Sequence, residues 1–155
     1  MRPDVLNLYR FYRSPLGQAV APIVAGRVHN LLSPRAGAIT IGLGFALPYL
    51  DHLAVQEADP ASRYLAFMPA QQGVCHWPDT HGCRTALVEE YQLPLADSSV
   101  DRAVLAHSLE HANRPKHLLR ELWRVMAPGG QLVLILPNRR RSWSALDTTP
   151  FGHGR

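Results

Sequence analysis

The feature that most constrains the fold lies late in the chain. Gln131 to Leu136 reads QLVLIL, with no polar alternation after its first residue. Such a run expects burial on both faces, the habit of central strands in parallel sheets. It follows the clearest helical pattern in the sequence, residues 115–126. There Leu118, Leu119, Leu122, Val125 and Met126 share one face, and Pro115 lies in the first turn. Pro128-Gly129-Gly130 separates the two and is expected to end the helix. A helix leading into a doubly buried strand is half of a βαβ unit.

The upstream sequence repeats that alternation. Ala38 to Ile41 is a short apolar strand running into Gly42-Leu43-Gly44. Pro48 fits the first turn of a following helix, whose packed face carries Tyr49, Leu50, Leu53 and Ala54 and which stops at Asp59-Pro60. Tyr64 to Phe67 is a second strand, ended by Pro69, and residues 70–83 are loop-like. Thr85 to Val88 is a third strand. Leu93 to Asp97 is a turn, and Val100 to Ala106 is a fourth strand, opened by Asp101. Residues 4–32 carry helical periodicity broken at Ser14-Pro15. The expected organisation is a helical extension over 1–34, a sheet domain over 35–141 and, over 142–155, an irregular tail or the truncated start of a C-terminal region. The fold class is α/β: a Rossmann-like, doubly wound, mostly parallel sheet of about five strands with right-handed crossovers. Ligands bind such sheets outside the carboxyl ends of the strands. The segments to inspect are therefore 42–46, 68–72, 89–91, 107–111 and 137–141.

Composition narrows the function classes. With 155 residues and 46% hydrophobic content the chain is one domain's worth of foldable sequence. No apolar run reaches the length of a membrane span, so no membrane partner is expected. The net charge is +4, and the only tight basic cluster is Arg139-Arg140-Arg141, which reads as a solvated loop. A nucleic-acid partner is not expected. Two cysteines, Cys75 and Cys83, are too few for a disulfide framework and point to free thiols in the cytoplasm. Cys75-His76 and His81-x-Cys83 hold suitable zinc donors in a spacing that matches no zinc pattern, so no metal is expected. Ser142 and Ser144 have no paired base. Trp123 reads as core or interface, and Trp143 stands where an acceptor pocket would begin.

Gly42 and Gly44 allow a ligand close to the backbone at a helix start, and Ala46 takes the third position of a G-x-G-x-G pattern. Glu89 stands four residues before Leu93-Pro94. Asp101 opens the fourth strand, and Glu110-His111 follows it. Arg120-Glu121-Leu122-Trp123-Arg124-Val125, Pro128-Gly129-Gly130 and Pro137-Asn138 complete the series. In this order, the motifs resemble the core of class I S-adenosylmethionine-dependent methyltransferases of the small-molecule type. With the glycine turn the resemblance spans residues 38–138.

The resemblance implies S-adenosylmethionine as cofactor and a small-molecule methyl acceptor. Gly42 and Gly44 would lie against the methionine part, and Met68 at the ribose. Glu89, with Glu90 or Tyr91 beside it, would sit near the adenine, and Ala106 to Ser108 near the methyl group. His107 and His111 are the candidate bases for an acceptor that must lose a proton. Three positions depart from the pattern: Thr40 replaces an acidic residue, Ala46 the third glycine and Met68 the ribose carboxylate. Those departures motivate an alternative, a catalytically inactive methyltransferase-like module that binds a partner or dimerises. A nicotinamide-dependent oxidoreductase has less support, because both a full G-x-G-x-x-G and an acidic end to strand two are missing. The family sheet has seven strands, and no room for its last hairpin remains after Asn138. An exposed fifth-strand edge is therefore expected, open to a homo-oligomeric contact, a swapped segment or a further C-terminal region.

Overall fold

The computed structural model describes residues 2–80 and 82–137. Asn138, Arg139 to Arg141, Ser142, Trp143, Ser144 and His81 lie outside the described residues.

Two helices come first, α1 (Val5–Arg13) and α2 (Pro15–Leu31). Asp4 caps α1 by accepting from the Leu6 amide. Ser14 is the single residue between the helices. Its hydroxyl donates to the Phe11 carbonyl and accepts from the Gly17 amide. A Cβ on Gly17 would fall 2.0 Å from that carbonyl oxygen, so only glycine allows the close joint.

Five strands follow: β1 (Ile39–Gly44), β2 (Arg63–Pro69), β3 (Thr85–Val88), β4 (Val100–Ala106) and β5 (Met126–Ile135). They form one parallel sheet in the order β3-β2-β1-β4-β5. Helix α3 (Leu47–Glu57) follows β1, a 3-10 turn over Leu109–His111 follows β4, and α4 (Pro115–Val125) precedes β5. The order reverses direction at β1, so the switch point lies between β1 and β4. One face of the sheet packs Met68, Val104 and Val133 against Val28, Leu50 and Leu53. The other packs Ile41, Leu43 and Leu105 against Leu118, Leu122 and Val125.

Two expectations about the last βαβ unit are corrected. Pro128-Gly129-Gly130 does not end the helix: α4 stops at Val125 and the chain is already extended at Met126. Val100 pairs with Met126 and Arg102 with Gln131, so residues 127–130 bulge out opposite Asp101. The apolar run is also not buried on both faces. Among the described residues β5 pairs only with β4. Val133 is 9% exposed, whereas Leu132 and Leu134 are 39% and 40% exposed on the α4 face. A run that would fit a central strand stands at the edge of the sheet that the described residues form.

Thr40 is engaged at the opposite end of the sheet from the glycine turn. Its hydroxyl accepts from Arg102 Nε at 3.0 Å, and Arg102 reaches Glu57 through two bonds of 2.5 and 2.7 Å. Tyr64 also donates to Glu57. These bonds hold the Glu57 carboxyl below its usual range, Arg102 foremost, while burial and Glu57 push the Tyr64 hydroxyl up to about 12.

Candidate functional site

The carboxyl ends of β3, β2, β1 and β4 lie along one edge of the domain, with polar groups after β2, β3 and β4 and a glycine turn after β1. Gly44 leaves β1 with φ +86°. A Cβ there would fall 2.2 Å from the Ala106 carbonyl oxygen, and the Phe45 amide donates to that oxygen at 2.8 Å. At Gly42 a Cβ would meet Ala46 and Leu50 at 2.8 and 2.9 Å. Both glycines are thus required by the way the chain packs on itself. Ala46 is fully buried as the N-cap of α3, and a third glycine would give up that packing.

The remaining candidates divide into two groups. Met68 and Ala106 are fully buried, Met68 in the core beside Phe45 and Tyr49. After β3, Glu89 is exposed and lines a polar hollow of about 220 Å³ together with Arg2, Gln71, Asn113 and Arg114. Arg114 lies over the Tyr91 ring at 4.5 Å. Glu90 accepts twice from Arg2 Nη2, at 2.9 and 2.7 Å, with both side chains buried. It serves α1 as an anchor. A cleft of about 950 Å³ beside Trp123 and Pro128 is at the other end of the sheet, away from these groups.

His107 follows β4 with φ +52° and is 2% exposed. Its Nε2 lies 2.9 Å from the Tyr12 hydroxyl, which lies 2.8 Å from the Tyr49 hydroxyl. The Gln72 side-chain amide donates to the His107 carbonyl. Burial, and then the neighbouring His111, push the imidazole down to about 3. It is neutral at physiological pH and a weak base. Burial, and then Tyr49, push the Tyr12 hydroxyl well up, so it too is uncharged. His111 is less buried, and its Nε2 lies 3.8 Å from Glu110 Oε1.

Tyr12 and Arg2 were not singled out from the sequence, whereas Tyr49 was expected on the packed face of α3 and Gln72 in the segment after strand two. Tyr12 stacks on Phe45 at 5.4 Å and meets His107 edge-on at 5.8 Å. The Val5 amide donates to the Gln72 carbonyl, and a Cβ on Gly73 would touch Val5. Helix α1 thus crosses the sheet end from β3 to β4. Of the candidate residues, Glu90 is engaged by Arg2 and His107 by Tyr12, whereas Glu89 stays exposed.

Among the described residues no three His, Cys, Asp or Glu side chains converge as a metal site. Cys75 and Cys83 are free thiols. No helix of the described residues is long and apolar enough to cross a membrane.

Residues 39–134 match the methyltransferase domain family. An uncharacterized methyltransferase of Mycobacterium leprae is 29% identical over 134 residues, covering 81% of this chain and 46% of the relative. A demethylmenaquinone methyltransferase of Renibacterium salmoninarum is 45% identical over 42 residues, covering 27% of this chain and 18% of that protein. The chain spans about half the length of the mycobacterial relative. Among solved structures, an S-adenosylmethionine-dependent methyltransferase of Thermotoga maritima superposes with a TM-score of 0.58 at 17% identity. It covers 95% of this chain and 67% of that one. A second, from Methanococcus maripaludis, gives 0.57 at 16% identity, covering 83% and 60%. The Rossmann-like methyltransferase fold is common to all three.

Proposed function

The chain belongs to the methyltransferase domain family, and from that premise we propose that it takes part in methyl transfer from S-adenosylmethionine to a small-molecule acceptor. The observation that carries this reading is the alignment, along one sheet end, of the glycine turn after β1 and the exposed Glu89 after β3. The cofactor supplies an activated methyl group on a sulfonium. What the chain contributes is position. The backbone at Gly42 and Gly44 takes the methionine part. Glu89 accepts from the exocyclic amine of the adenine at the polar hollow, and Met68 and Ala106 close the floor with backbone and apolar surface. Glu90 acts one step removed, through Arg2. Of the two histidines, His111 suits an acceptor that must lose a proton, because a base pushed down to about 3 removes protons poorly. The exposed β5 edge supports a homodimeric contact, and the free thiols support a cytoplasmic setting.

A specific observation favours a second reading, a non-catalytic module: Tyr12 of α1 engages His107, Arg2 engages Glu90, and Thr40 is committed to Arg102. Calorimetric titration of S-adenosylmethionine and S-adenosylhomocysteine into the folded chain separates the two. The enzyme reading expects one site, weakened ten- to a hundredfold by Glu89→Ala, the loss of a charge-assisted bond. Glu89 is exposed, so the variant folds. A folded chain that binds neither ligand overturns the enzyme reading and leaves the module.

A further inference from the structure

We propose that Cys83 and Cys75 form a peroxide-sensitive thiol pair: the exposed Cys83 sulfur is oxidised first, and Cys75 then closes a disulfide within the β2–β3 connection. The pair is a modification site that does not depend on the methyltransferase reading.

The connection turns back on itself where it carries the two thiols. The Arg84 amide donates to the Trp77 carbonyl at 2.6 Å. The Thr85 hydroxyl donates to the Cys75 carbonyl at 2.7 Å and lies 3.1 Å from the Cys83 sulfur. One hydroxyl therefore bridges the Cys83 side chain and the Cys75 backbone. The arm that carries Cys75 is fixed. Cys75 packs against the core, and the buried Trp77 donates its indole N–H to Asp51 at 2.8 Å. Cys83 stands exposed on the other arm, open to a solute.

Their surroundings give the two thiols different roles. The Thr85 hydroxyl, and then the backbone at Thr85 and Trp77, hold the Cys83 thiol below its usual range. Burial, and then Asp79 and Cys83, push the Cys75 thiol up. Cys83 thus offers a thiolate to solvent while Cys75 keeps its proton. The chemistry follows in two steps. The Cys83 thiolate attacks one oxygen of hydrogen peroxide, the O–O bond breaks, and hydroxide leaves as Cys83 becomes a sulfenic acid. The hydroxide takes up the proton that Cys83 released and becomes water. The Cys75 sulfur, losing its proton, then attacks the Cys83 sulfur. The S–O bond breaks and a second water leaves. Two thiols are oxidised to one disulfide, and one peroxide is reduced to two waters. Thr85 is the positioning residue of the pair.

The test uses the full chain and two probes, iodoacetamide and hydrogen peroxide, read by mass spectrometry of the intact protein and its peptides. Iodoacetamide should modify Cys83 well before Cys75, and the Cys83 rate should rise at a lower pH than the Cys75 rate. Thr85→Val should slow the Cys83 reaction about two- to tenfold at neutral pH, the loss of one hydrogen bond to the thiolate. Thr85→Ser keeps the hydroxyl and should restore the rate. Peroxide should lower the intact mass by about 2 Da, with Cys75 and Cys83 joined in one monomer. Cys75→Ser should stop at a Cys83 sulfenic acid that dimedone traps. Cys83→Ser, at an exposed position, should leave Cys75 reduced under the same peroxide. Equal alkylation of both thiols, or faster alkylation of Cys75, overturns the proposal. So does a fast Cys83 whose oxidation yields only higher oxides or disulfides between two chains, because Cys75 would then not resolve it.

Discussion

The buried imidazole of His107 makes stability depend on pH in a way that can be worked out in advance. In the unfolded chain it titrates near 6.5, whereas in the native state burial and His111 push it down to about 3. Between those values the unfolded state binds a proton that the native state does not. Stability therefore falls as pH falls through that window, and is fully present above it. At pH 5 the unfolded imidazole is almost wholly charged and the native one neutral. The loss between pH 7 and pH 5 is about 2 kcal/mol, approaching about 5 kcal/mol below pH 3. His107→Asn is the reference, because asparagine tolerates the left-handed backbone found there. Carboxylates such as Glu57 also lose stability on acidification, but they do so in both proteins and cancel in the difference. Urea unfolding followed by tryptophan fluorescence at pH 5, 6 and 7 measures it. Parallel stability profiles, differing by less than about 0.5 kcal/mol over that range, would refute the reasoning and mean that water reaches His107.

The other predictions concern packing and association. Glu57→Gln leaves the buried Arg102 without its charge partner and should cost about 3 kcal/mol in urea unfolding, whereas Arg102→Met with Glu57→Leu should recover most of it. A loss below about 1 kcal/mol for Glu57→Gln would show the pair to be solvent-screened. Gly44→Ala drives a Cβ into the Ala106 carbonyl and should cost more than about 3 kcal/mol. Gly82→Ala, at φ +56° with open space around it, should cost only about 1 kcal/mol by the same urea unfolding. Light scattering should find a dimer that Leu134→Lys dissociates, while a wild-type monomer at high concentration would remove the proposed β5 contact.

Much of the architecture was legible because it is local. The apolar runs at β1, β2 and β4, the proline in the first turn of α3 and of α4, and the Ser14-Pro15 break each act within a few residues. Such signals survive in a one-dimensional reading. Of the candidate site, Gly42, Gly44, Glu89 and His107 were named from the sequence because they lie at the ends of strands the pattern already located. Tyr12 carries no signal of its own. Its partner His107 is 95 residues away, and Arg2 is 88 residues from Glu90. Only the parallel sheet, with four strand ends in line, brings those distances to hydrogen-bond length. Likewise the hydrophobic run in β5 says that the strand is apolar. Whether both its faces are covered depends on what packs beside it.

By itself the sequence determined the order of helices and strands, the doubly wound parallel sheet and membership of the methyltransferase domain family. Periodicity and turn chemistry are properties of neighbouring residues. Tertiary structure alone decided that Gly42 and Gly44 make room for the chain itself, that His107 is neutral, and that α1 lies across the strand ends. Each of those depends on which distant group fills the adjacent space, and chain packing sets that.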